Sequence, residues 1–373
     1  MKSVTLTAAI ATITILPLMV MPFASADFLY YIILIILAAL RLRCAESASI
    51  LLLCTLICAA IGILLRNPLP IFRPWERLGL FACMLAGIGP LFSGGINAQL
   101  SQRLFQNLAL SCLLVGALSA CCAAIGINRG GAVFSGLTPH SMILGPVAGI
   151  GFLYAMHKTM HCYAAGKGLP GLLMTGGIAC LAALLLSSSR SALLSTTAGA
   201  AYLILRVPRG RGLILLLGGF TAFLLLPFAG ELTEGLFHKM DSSREAGSIF
   251  SSRAELWSDR WQEFREHPLF GVGFASQSII SFSHSLQSGI IEPGSSYLGC
   301  LSMLGLVGSL PLFMLLATAL RHGMRKTAFP PLAVVVLLFF CVHMIFEGYL
   351  ISAGSVLCVL LWSCISATLA GKT

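Results

Sequence analysis

Apolar runs of about 17 to 25 residues follow one another along almost the whole chain, and that succession leaves few folds open. A helix needs about 20 apolar residues to cross roughly 30 Å of hydrocarbon. Inside that layer, backbone polar groups are satisfied only in helices or closed barrels. Twelve candidate spans are read at 4–25, 28–41, 48–65, 78–94, 105–127, 142–157, 168–188, 192–206, 212–230, 295–320, 328–351 and 354–370. The expected fold class is all-α, a polytopic integral membrane protein of about 12 transmembrane helices. Charged residues make up only 10% of the 373 and hydrophobic ones 57%, against a soluble average of roughly 25% charged. The first run follows Lys2 and ends in Ala-Ser-Ala at 24–26, as a cleaved secretory signal would; its length favours a retained helix.

Basic residues in short loops set the orientation. With the N-terminus in the cytoplasm, 13 of the 23 Lys and Arg fall inside, five lie in short outer loops, and five lie in 231–294, which the rule does not count. Both termini are then cytoplasmic and the protein is a multi-pass one. Three of the outer dissenters, Arg66, Arg73 and Arg77, share the loop "RNPLPIFRPWER". Basic loops facing anionic lipid account for most of the +10 charge, so no nucleic acid partner is expected. None of the 13 cysteines falls in 231–294 and no CxxC pair with zinc spacing occurs; neither disulfide nor metal is expected.

The chain divides accordingly into helices 1 to 9 (1–230), one large periplasmic loop (231–294) and helices 10 to 12 (295–373). The loop carries nine of the 13 acids. Within it "SSRAELWSDRWQEFREHPLFGVG" predicts an amphipathic helix: Ser252 and Glu255 have capping-box spacing, which starts the helix at Arg253, and Pro268 ends it. Leu256, Trp257, Trp261 and Phe264 form its apolar side, and the two indoles suit a membrane interface. Arg260, Asp259 and Glu263 are expected on a solvated face laced with i,i+4 pairs. His267, Gly271 and Gly273 then fix a turn. Elsewhere, Arg190 stands among serines in "SSSRSALLS" at a span end, where it either snorkels to the headgroups or binds a phosphate. Glu292 sits at the mouth of a span, and His343 and Glu347 at i,i+4 are expected on one helix face, where ionisable groups are costly and usually functional.

With these residues in order, the sequence resembles the bacterial O-antigen ligase and O-antigen polymerase superfamily of membrane glycosyltransferases. The resemblance rests on "SSRSA" with Arg190, "RAELW" followed by "HPLFGVG", "YLGCLSMLGLVG", and the weaker "GAVFSGLTPHSMILGP" at 131–146, with His140 where Asn is commoner. It implies an enzyme of the bacterial inner membrane, with a polyprenyl-diphosphate-linked glycan as donor (undecaprenyl diphosphate as the carrier), a saccharide acceptor and no cofactor. Polysaccharide export or chain-length proteins are candidate partners. The family's two arginines, implicated in holding the diphosphate, map onto Arg190 and Arg253. Its usual His-Asn pair, whose histidine is proposed to activate the acceptor hydroxyl, is replaced here by Gly294 and Ser295. A base must lie within about 3 Å of the proton it takes, which ranks Glu292 first as catalytic residue, then Glu347, then His284. Trp257, Trp261, His267, Gly271 and Gly273 would support the loop.

The missing histidine favours an exopolysaccharide or O-antigen polymerase. An O-antigen ligase or a protein O-oligosaccharyltransferase is the alternative within the family. From another class, a transporter or flippase would show internal repeats and midplane charges, whereas here the charge gathers in one outer loop.

Overall fold

The computed structural model describes residues 2–20, 26–127, 133–168, 170–207, 251–278, 289, 291–325 and 329–370. Among them the chain forms twelve α-helices: α1 Lys2–Ile15, α2 Ala26–Arg43, α3 Ile50–Arg66, α4 Pro74–Gly87, α5 Gly95–Ala124, α6 Ser141–Ala164, α7 Gly171–Leu186, α8 Arg190–Arg206, α9 Ser251–Glu266, α10 Ser296–Gly323, α11 Leu332–Phe346 and α12 Val356–Ala370. The only strands among the described residues are Ser47–Ala48 and Phe92–Ser93, paired antiparallel. Eleven of the twelve candidate spans coincide with a helix; 212–230 lies outside the described residues, and α9 is the loop helix.

Two helices, α5 and α10, have both the length and the apolarity to cross a membrane. The other apolar helices among the described residues are shorter. Large apolar side chains stand exposed in stripes one turn apart, Leu110, Leu114 and Leu118 on α5 and Leu306, Leu310 and Met314 on α10. Continuous stripes of this kind are unfavourable in water and matched to hydrocarbon.

Polar ties between the helices define two ends of the bundle. At the basic end the buried Arg41 donates to the Gly89 carbonyl at 2.7 Å and to Ser101 Oγ at 2.5 Å, and Ser101 bonds Ser366. Arg206 reaches the carbonyls of Met324 and Arg325 there. At the opposite, loop end, Arg66 Nε donates to the Gly271 carbonyl at 3.1 Å and Arg77 to that of Gly289 at 2.7 Å. Two of the three arginines of the "RNPLPIFRPWER" segment therefore hold carbonyls of the segment after α9, a local use for charges that the loop-charge rule does not explain.

Helices α8 and α11 run antiparallel. A Cβ on Gly199 would meet the Val335 carbonyl at 3.2 Å, and Thr196 and Phe339 both crowd Gly149. Continuing that register two turns brings Arg190 level with the last turn of α11, at the loop end.

Helix α10 is broken. Gly305 has φ 64° and ψ −171°, a conformation essentially restricted to glycine. The turn after α9 fills the gap: Leu306 N–H donates to the Pro268 carbonyl at 2.7 Å, Val307 N–H to that of Leu269 at 3.1 Å, and Val272 N–H to that of Ser302 at 2.9 Å. Backbone groups released by the break are thus satisfied inside protein, as a low-dielectric setting demands. Gly271, with φ 68°, presses on the Ser302 carbonyl, and a Cβ on Gly305 would strike Leu269. "HPLFGVG" and "GCLSMLGLVG" are two halves of one joint.

Candidate active site

Helix α9 already exists at Ser251, two residues before the start that capping-box spacing predicts. Its inward face also differs from the predicted apolar side. Arg253, Leu256, Trp257, Arg260 and Glu263 point inward at intervals of three and four, while Trp261 is 48% exposed. Arg260 and Glu263 are not on a solvated face: Arg260 Nη1 lies 2.8 Å from Glu263 Oε2, with side-chain exposures of 2% and 0%. Glu263 accepts the Ser278 N–H at 2.6 Å and the Ser302 hydroxyl, and Arg260 reaches Gln277 at 3.3 Å. Burial draws the Arg260 guanidinium down from its ordinary value, while Glu263 and then Asp259 pull it back up. Charges face inward here because the return segment and α10 supply polar partners, which an apolar face would leave unsatisfied. This pair had no signal in the sequence beyond its helical spacing.

About two turns earlier on the same face, Arg253 Nη2 donates to Glu347 Oε1 at 2.5 Å and Nη1 to the Gly294 carbonyl at 3.3 Å. Trp257 Nε1 donates to the same carbonyl at 3.1 Å. The ion pair is reachable from water, with side-chain exposures of 24% and 17%. Gly294 has φ 67°, and a Cβ there would meet Leu256 at 3.0 Å, so the position that replaces the family histidine is one that wants glycine.

Glu347 does not share a helix face with His343. Helix α11 stops at Phe346 and Glu347 is extended, with φ −135° and ψ 140°. Ser295 and Ser296 cause the stop: Ser295 Oγ donates to the Met344 carbonyl at 3.3 Å and Ser296 Oγ to that of Glu347 at 2.6 Å, while Tyr349 N–H donates back to Ser296 Oγ at 3.0 Å. His343 is buried below, 3.0 Å from the Tyr349 hydroxyl and stacked on Phe339. Glu292 is exposed on the rim, close enough for its charge to act on Glu347. His284 lies outside the described residues.

The structure thus brings Arg253, Trp257, Glu292, Gly294 and Glu347 together. Arg190 stands at the same end, at the first position of α8 after Ser189, whose hydroxyl accepts the Ala192 N–H at 3.4 Å. His140 does the equivalent for α6, its Nδ1 accepting the Met142 N–H at 3.1 Å. His267 closes the first turn beyond α9, accepting the Gly271 N–H through its carbonyl at 2.9 Å. Gly273, at φ 107°, has its carbonyl bonded by Ser276 Oγ at 2.5 Å.

Beside the ion pair a cleft of about 340 Å³ opens between α2, α4, α10 and the segment 348–355. Among the described residues its one charged lining residue is Arg77, whose guanidinium is drawn below its ordinary value by burial and then by Arg73.

An all-α bundle with exposed apolar stripes and a broken helix whose backbone groups are satisfied internally suits a membrane setting. Residues 175–313 match the family model described as O-antigen ligase, which covers α7, α8, α9 and the first part of α10. That segment, 139 of the 373 residues, is similar to the O-antigen ligase family, whose members are membrane-embedded enzymes of glycosyltransferase type. No curated protein matches the sequence. Arg190, Arg253 and the α10 break all fall in the matched residues, whereas Glu347 falls outside them.

Proposed function

We propose that the protein transfers glycans from a polyprenyl-diphosphate carrier to a saccharide acceptor at the outer face of the bacterial inner membrane, as an exopolysaccharide or O-antigen polymerase. The observation that carries this reading is the Arg253 guanidinium, paired with Glu347 yet open to water, at the bundle end that Arg190 also occupies. The twelve-span topology, cytoplasmic termini and division at 231–294 belong to the same reading.

The acceptor hydroxyl oxygen bonds to the anomeric carbon, the bond from that carbon to the diphosphate oxygen breaks, and its electron pair leaves with the diphosphate. Glu292 takes the hydroxyl proton; it is the exposed carboxylate on the rim, whereas Glu347 is already paired. Arg190 and Arg253 stabilise the charge that develops on the leaving group, an assistance often worth about 3 to 4 kcal/mol per donor. Arg253 exchanges Glu347 for phosphate as the donor binds. Direct displacement inverts the anomeric centre.

A second reading, O-antigen ligase, is favoured by the description of the matched family. The size distribution of lipid-linked and surface glycans separates the two in cells lacking the protein and complemented with wild type, Arg253→Ala or Glu292→Gln. Single repeat units accumulating on the carrier identify a polymerase, and long carrier-linked chains that never reach their acceptor identify a ligase. Repeat units trapped on the cytoplasmic side would overturn both in favour of a flippase.

A further inference from the structure

From Gln102 onward, every fourth residue of α5 is exposed: Gln106, Leu110, Leu114 and Leu118. Side chains four apart lie one above the other on a helix, so these five make a single ridge. Its chemistry changes once, from amide to alkyl, between Gln106 and Leu110. At 1.5 Å per residue the alkyl part extends about 12 Å.

The amide end of the ridge opens on a cavity of about 530 Å³ at the basic end of the bundle, enclosed by the start of α5, the ends of α10 and α12 and the first turn of α11. Gln102 and Gln106 line it from α5, His322 and Arg325 from the end of α10 and just beyond, and Phe105 and Ala367 add hydrocarbon. Arg325 is exposed, and Arg206 fixes its backbone through the carbonyls of Met324 and Arg325. The first turn of α11 also lines the cavity, and Pro331 gives that helix no side-chain cap, so its leading N–H groups add positive potential. Among the described residues no carboxylate lines the cavity; Glu46, an acid at the same end of the bundle, accepts the Gly95 N–H at 3.1 Å. A guanidinium, an imidazole and two amides around a space without an acid suit an anion. The alkyl ridge that leads out of it suits an anion carrying a hydrocarbon chain.

We propose that this cavity binds the phosphate headgroup of an anionic phospholipid, with an acyl chain lying along Leu110, Leu114 and Leu118. Such a site is discrete and saturable, unlike the diffuse attraction of basic loops to a charged surface. It does not depend on the glycan-transfer reading, and it lies at the other end of the bundle from Arg253. A headgroup held there touches α5, α11, α12 and the end of α10 together, so its binding stabilises their packing by mass action.

Thermal unfolding of the purified full-length protein in a neutral detergent tests the proposal, titrated in turn with phosphatidylglycerol, phosphatidylcholine and glycerol 3-phosphate. Phosphatidylglycerol raises the midpoint saturably, while the zwitterionic lipid and the chainless phosphate do not. Arg325→Ala weakens the phosphatidylglycerol response about tenfold in concentration, as the loss of one bond to a charged group does. Arg103→Ala is the control: it removes the same charge from an exposed position next to Gln102 but outside the lining, and it shifts the response by no more than about twofold. Equal losses in the two variants would reduce the effect to diffuse charge. An equal response to phosphatidylcholine would remove the anion, and an equal response to glycerol 3-phosphate would remove the chain; any of these three results, or the absence of a saturable response, overturns the proposal. If Arg325→Ala is not produced, Gln106→Ala at the exposed end of the ridge is read in the same titrations and must weaken phosphatidylglycerol more than Arg103→Ala does.

Discussion

Replacing Glu263 by glutamine keeps the size of the side chain and removes its charge. The carboxylate now faces Arg260 at 2.8 Å, the Ser278 N–H at 2.6 Å and the Ser302 hydroxyl. An amide offers one acceptor oxygen, so its NH2 must turn toward a donor. Arg260, with 2% of its side chain exposed, loses its one buried ion-pair partner and keeps only the Gln277 amide oxygen and the charge of Asp259; breaking a buried pair in this way typically costs about 3 to 5 kcal/mol. At 1.4 kcal/mol per factor of ten, docking of α9 on α10 weakens by roughly two to three and a half powers of ten. Amide hydrogen exchange over 253–278 reads this directly in the purified protein, since protection there reports the docking equilibrium. The double variant Arg260→Met, Glu263→Leu removes both charges and recovers most of the loss, because a buried pair contributes little over apolar residues of similar volume. A single-variant cost below about 1 kcal/mol, the value for an exposed pair, would refute the reasoning, as would a double variant as unprotected as the sum of the singles.

Further outcomes follow from the same geometry. Gly305→Ala forces a side chain into a glycine-only conformation, costing about 1 to 3 kcal/mol before any clash with Leu269, and lowers the thermal midpoint; an unchanged midpoint would mean the break is not rigid. Glu347→Gln frees Arg253 from an internal carboxylate, so undecaprenyl diphosphate binds about tenfold more tightly, in line with about 1.5 kcal/mol for a bond to a charged group; weaker binding would make Glu347 a positioning group. Trp257→Phe loses one bond to the Gly294 carbonyl, about 1 kcal/mol, seen as faster exchange in α9. His140→Ala lowers stability by about 1 kcal/mol as a lost cap, and His140→Asn does not.

Much of the helical order was legible because apolar length is a direct physical demand of a bilayer. Eleven helices could be placed from run length alone, and the serine cluster and Arg253 could be flagged from their setting. Contacts between distant segments were not legible. Nothing local in "DRWQEF" says that Arg260 and Glu263 face inward, since the partners that make burial tolerable are Gln277, Ser278 and Ser302. The same holds for Glu347: a helical reading through Phe346 is natural until Ser295 and Ser296 are seen to hold that end. The break at Gly305 had a faint signal, two glycines three apart with Pro311 downstream, yet the carbonyls that stabilise it come from residues some 36 positions earlier.

That break has a mechanical consequence. A loop that merely covers a site can swing away on its own; this one is spliced into α10 by three backbone bonds, so lifting residues 268–272 would unzip α10 or drag part of it along. The α9 side of the entrance behaves as a fixed post. Among the described residues the segment 348–355 has no such backbone splice into α10, and its Gly354 stands beside an open cleft.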